Sequence, residues 1–89
     1  MQTIRLIIKG KVQGVNYRAN AKNVADLLGI KGWVKNLTDN NVEIIATAAA
    51  DVLQKFIGWC KQGPSRAAVE EVNVEETALE EFSGFRIIR

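Results

Sequence analysis

The stretch Gly10-Lys11-Val12-Gln13-Gly14-Val15-Asn16-Tyr17-Arg18 lies where one kind of hydrophobic periodicity gives way to another. Before it, Ile4, Leu6, Ile8 and Val12 recur with period two against Arg5, Lys9 and Lys11, the pattern of a half-buried strand. After it, Ala21, Val24, Ala25 and Leu28 fall at i, i+3, i+4 and i+7, the apolar stripe of a helix that Gly29 terminates. The segment is therefore a strand-to-helix loop. Gly10 and Gly14 permit positive φ and close approach of backbone to a ligand. A loop entering a helix N-terminus aims several unpaired N–H groups at one point, with the helix dipole behind them. Arg18 adds a planar fork of donors suited to phosphate oxygens. On these residues alone, an oxyanion site and an ordinary glycine turn are equally open readings.

The rest of the chain extends the alternation. "GWVKNL" and "NVEIIAT" read as strands joined around Thr38–Asn41, where Asp39, Asn40 and Asn41 tolerate the left-handed backbone of a tight turn. Leu53, Phe56, Ile57 and Cys60 form one face of a second helix, with Asp51 at its positive end and Gly63-Pro64 as its stop. "AVEEVNVEET" reads as a fourth strand with an acidic outer face, and "GFRII" as a short last one. The order β-α-β-β-α-β plus a short strand predicts an α+β, ferredoxin-like split βαβ sandwich. In it two helices pack on one face of an antiparallel sheet of four to five strands. The first two strands then run parallel with the third between them, so their C-terminal ends share an edge roughly 10 Å apart. An arginine and a bound ligand span that gap.

Composition narrows the chemistry. The 89 residues are expected to form a single domain, 1–89, with an ordinary 47% of apolar and 25% of charged residues. There is no histidine and one cysteine, Cys60, which excludes Cys/His zinc sites, histidine-based triads and an intrachain disulfide. No metal ligand set and no cofactor motif is present. Residues 1–45 hold seven Lys/Arg against three Asp/Glu, and residues 46–89 five against seven. That split favours a small anion near the N-terminal half over a polyanion, although a solvated mixture of charges accounts for it equally. No apolar run approaches the ~20 residues of a membrane helix, and "MQTIRLIIKG" lacks a signal-peptide layout. The chain is expected in the cytoplasm, without a membrane.

These residues closely resemble the acylphosphatase family. The family's loop pattern G-x-V-Q-G-V-x-[FY]-R is matched at every specified position from Gly10 to Arg18. Its second pattern, G-[FYW]-[AVC]-[KRQAM]-N, is matched by Gly32-Trp33-Val34-Lys35-Asn36. Likeness continues through "DNNVE", "GPSRAAVEEVNVE" and "FSGFRII", covering nearly the whole chain. The resemblance implies hydrolysis of acyl phosphates, such as acetyl phosphate, to carboxylate and inorganic phosphate. It implies a backbone cradle at Gln13, Gly14, Val15, Asn16 and Tyr17, a phosphate-binding Arg18, and an Asn36 that orients the attacking water. Inorganic phosphate or sulfate would compete as small anions, and a monomer is expected. Many relatives carry threonine where this chain has Ala21, so any hydroxyl role there is absent. Cys60 reads as a buried structural thiol.

The chemistry asks for little more. A carboxylate whose acid has a pKa of about 4 leaves without a general acid. Phosphoryl transfer through a loose transition state needs mainly positioning and charge stabilisation. An RNA-recognition domain shares the element order but places aromatics on its first and third strands, where "TIRLIIKGKV" and "NVEIIATA" have none. The stronger alternative is an acylphosphatase-like module that binds anions or acyl phosphates without turning them over.

Overall fold

Alternation in the first strand places Ile4, Leu6 and Ile8 on one face, and all three are buried. A computed structural model describes all 89 residues, Met1–Arg89. Its elements are β1 (Gln2–Lys11), α1 (Tyr17–Leu28), β2 (Lys31–Asn36), β3 (Val42–Ala48), α2 (Ala50–Gln62), β4 (Ala68–Thr77) and β5 (Phe85–Ile88). The strands form one sheet in the order β4-β1-β3-β2-β5. Both β1 and β2 pair antiparallel with β3, so they run parallel to each other and end at the same edge.

The helices cover one face of this sheet. Val34, Val42, Ile44, Ala46 and Phe85 join the apolar face of β1, and Ala21 and Ala25 of α1 with Leu53, Phe56, Ile57 and Cys60 of α2 close over them. Phe56 meets Phe85 edge to face at 6.1 Å between ring centroids. Gly29 ends α1 in the left-handed conformation (φ 73°), its N–H bonding back to the carbonyls of Ala25 and Asp26. In the β2–β3 turn, Asn40 takes φ 71°, as its side chain permits, and the N–H of Leu37 bonds the carbonyl of Asn41 at 2.8 Å. No helix is long and apolar enough to cross a membrane.

Two features depart from the plain antiparallel expectation. β5 pairs with β2 in parallel, so the sheet is mixed. The cause lies in the segment between β4 and β5, which crosses the end of the sheet instead of turning back. Its Glu80 carbonyl accepts from the Thr47 hydroxyl at 2.7 Å, and its N–H donates to the Thr3 hydroxyl at 2.9 Å. The second feature is β3, whose residues are buried on both faces, including Glu43 and Thr47. Glu43 lies between Arg5 and Lys35, whose cations offset the cost of taking its carboxylate out of water.

Candidate active site

Between β1 and α1 the backbone turns with Gly14 at φ 73° and Asn16 at φ 63°, both left-handed. Asn16 is the N-cap of α1 but its side chain makes no capping bond, and no acidic residue occupies the first turn. The N-terminal N–H groups of a helix have no intrahelical acceptors, so this end is left donor-rich and positive. Alternation with left-handed residues is the geometry that gathers successive N–H groups around an anion.

Arg18 stands in that same first turn, where a cation is disfavoured by the helix dipole. It makes no salt bridge; its Nη1 donates only a long 3.5 Å bond to the carbonyl of Ile88. Its position is unfavourable to the helix and explicable by an anion.

A cavity of about 280 Å³ opens here, at the small end of ligand pockets, which run to about 300–1,000 Å³. Val12, Gly14, Asn16 and Tyr17 line it from the loop, Arg18 and Ala19 from α1, and Asn36 from the end of β2. Asn36 and Arg18 thus share one cavity because β1 and β2 end at one edge. The Oδ1 of Asn36 is buried and has no hydrogen-bond donor in the protein. It is the only buried side-chain polar atom so placed. An unmet acceptor of this kind costs about 1–3 kcal/mol, which calls for a reason.

Not every expected cradle residue lines the cavity. Gln13 and Val15 do not: Val15 is buried in the core, and the Gln13 amide is directed to the β2–β3 turn. Gly10 lies outside as well. A Cβ built on it would sit 2.2 Å from the Ala68 carbonyl oxygen, so its absent side chain serves a close approach of β1 to β4 and not a ligand. A Cβ at Gly14, by contrast, meets nothing within 4 Å. Ala21 packs into the core, away from the cavity. Cys60 is buried, and burial pushes its thiol up to about 12. Such a thiol is unsuited to act as a nucleophile.

Four lining residues lie outside the expected set: Val12 and Ala19 flank it directly in sequence, and the distant pair is Ile87 and Arg89 at the chain's other end. Ile87 and Arg89 reach the cavity because β5 lies beside β2, a pairing carried by no local motif. Among acidic and thiol side chains, no group of three is placed to hold a metal ion.

Comparison with known proteins agrees with the loop and strand motifs. The family described as Acylphosphatase matches residues 4–87. An acylphosphatase of Acaryochloris marina is 45% identical over 86 residues, covering 97% of this chain and 92% of its own. Among solved structures, the acylphosphatase from Bacillus subtilis superimposes with a TM-score of 0.96 at 37% identity, covering 100% of both chains. That of Coxiella burnetii gives 0.94 at 39% identity, covering 98% of this chain and 92% of its own.

Proposed function

Since the chain belongs to the acylphosphatase family and is an enzyme that hydrolyses acyl phosphates, we propose that the loop of Gln13 to Tyr17 and Arg18 hold the phosphoryl group while Asn36 holds the attacking water. The loop N–H groups and the α1 dipole meet the phosphoryl oxygens, and the Arg18 guanidinium spreads two donors across them. The Oδ1 of Asn36 accepts a hydrogen bond from the water and so aims the water's lone pair at phosphorus. Water oxygen bonds to phosphorus as the bond to the acyl oxygen breaks, and the carboxylate leaves with the electron pair. The proton shed by water ends on the phosphate or in solvent. No acid is required for a leaving group of pKa about 4, and no metal site is needed beside Arg18.

The observation that carries this reading is that Asn36, whose buried Oδ1 has no donor in the protein, lines the same cavity as an arginine without a carboxylate partner. It favours catalysis over a module that only binds, because the fully ionised phosphoryl group of an acyl phosphate gives an asparagine oxygen no hydrogen bond, whereas a water does. Residues 1–89 act as one domain around a common core, and the protein works as a cytoplasmic monomer. Of the large exposed apolar side chains, Leu27 lies on α1, Val74 on β4 and Ile88 on β5, far from a broad continuous patch, which supports the monomer.

Amide NMR during titration with inorganic phosphate tests the site. The signals of Gly14 to Arg18 should move first, sulfate should move the same ones, and both anions should inhibit release of phosphate from acetyl phosphate competitively. Shifts centred on β4 instead, or inhibition that is not competitive, would relocate the site.

A further inference from the structure

We propose that the side chain of Gln13 is a positioning residue for the hydrolysis, locking the phosphoryl-binding loop to the turn that carries Asn36. The inference rests on the assignment of water to Asn36. Gln13 precedes Gly14 in the loop, and its Nε2 donates to the carbonyl of Leu37 at 2.9 Å and to that of Asn41 at 2.8 Å. Leu37 follows Asn36 directly, and Asn41 precedes Val42, the cross-strand partner of Asn36. One amide group therefore grips both chain segments that flank Asn36.

No other hydrogen bond joins residues 12–16 to residues 36–42. β1 and β2 do not pair with each other, since β3 lies between them. Without Gln13, the relative position of loop and turn is set only through β3 and by packing. In-line attack depends on that position, because the phosphoryl group is held on one side of the gap and the water on the other.

The residue type fits the task. Both N–H bonds of a single amide nitrogen are used, each on a different carbonyl. Glutamate offers no donor to these acceptors, and asparagine keeps the donors on a side chain one methylene shorter. The Asn41 carbonyl also accepts the N–H of Leu37, so the clamp closes the turn as well as tethering it.

A double-mutant cycle between Gln13→Met and Asn36→Ala separates positioning from plain structural support. Methionine keeps the length and removes both donors. In Gln13→Met, kcat should fall about 10–10²-fold, the scale of a misplacement near 1 Å. Inhibition by phosphate should stay within about threefold, since the loop N–H groups and Arg18 are intact. In the Asn36→Ala background the same change should cost less than about threefold, because the water it positions is already lost.

Full multiplication of the two effects would overturn the proposal, as would a Gln13→Met protein with unchanged kcat and only a lowered melting temperature. A normal kcat in Asn36→Ala alone would overturn both this inference and the water-holding role beneath it. If Gln13→Met does not fold, as judged by circular dichroism, Gln13→Asn takes its place in the cycle with the same expected outcomes.

Discussion

The phenol of Tyr17 donates to the carbonyl of Cys60 across 2.9 Å, joining the first residue of α1 to the last turn of α2. In a continuing helix that carbonyl would accept the N–H of the residue four positions on. That residue is Pro64, which has none. Tyr17 supplies the missing donor, while its ring packs 5.3 Å from that of Trp59. The loop is thereby fixed to the core at its helical end.

Tyr17→Phe should therefore destabilise the fold by about 1–3 kcal/mol, the cost of leaving a buried carbonyl unpaired. A melting temperature lower by about 4–8 °C per kcal/mol is expected for a domain of this size. The backbone N–H of residue 17 is retained, so phosphate inhibition at a temperature where the variant is folded should hardly change. An unchanged melting temperature would show that another group, or solvent, serves the Cys60 carbonyl equally well.

Arg18 and Asn36 should fail in different ways. On the proposed role, in which Arg18 holds the phosphoryl group in ground and transition states alike, Arg18→Ala should both weaken phosphate binding and slow turnover. Arg18→Lys should restore little, since a point charge does not reproduce a two-pronged donor. Asn36→Ala should cost about 3–4 kcal/mol, or on the order of 10²–10³ in kcat, with phosphate affinity kept within a few-fold. If phosphate affinity in Asn36→Ala collapsed as far as in Arg18→Ala, the two roles would not be separate.

The two loop glycines should also respond differently. Gly10→Ala drives a methyl into the backbone of Ala68, an overpacking that should cost about 1–3 kcal/mol or more in urea unfolding. Gly14→Ala meets no atom but sits at φ 73°, a left-handed strain of about 1–2 kcal/mol. Its methyl also enters a lining position of the cavity, so phosphate should inhibit less well. Equal phosphate inhibition in wild type and Gly14→Ala would place the ligand elsewhere.

Alkali should weaken the fold through two buried groups of the core. Burial raises the Cys60 thiol from about 9 to about 12, and raises the Tyr17 phenol as well, with desolvation the main cause for both. The protonated forms are favoured by folding, so this stability is fully present below about pH 9 and is lost as pH rises toward 12. In that window Cys60 should contribute a decline of up to about 1.4 kcal/mol per pH unit. Chemical denaturation at pH 8 to 11 would measure it, and Cys60→Ser should flatten the slope. Native Cys60 should also resist alkylation until the chain unfolds.

Much of the fold follows from relations between near neighbours. Period two in Ile4, Leu6 and Ile8, the helical spacing of Leu53, Phe56, Ile57 and Cys60, and the stops at Gly29 and Gly63-Pro64 each depend on a few consecutive residues. They yield seven elements in order, and the order alone brings the ends of β1 and β2 to one edge. Gly10–Arg18 and Gly32–Asn36 could be read as motifs for the same reason, since each is a continuous stretch. The tertiary structure decided what crosses between elements. It placed β5 parallel to β2 and so brought Ile87 and Arg89 to the cavity. It turned Gly10 from a ligand-side residue into a packing residue against β4. It gave the Gln13 amide to carbonyls 24 and 28 positions away, and the Tyr17 phenol to one 43 positions away. A side chain's local sequence says what it can donate or accept; only strand order and register decide which distant backbone group comes within reach.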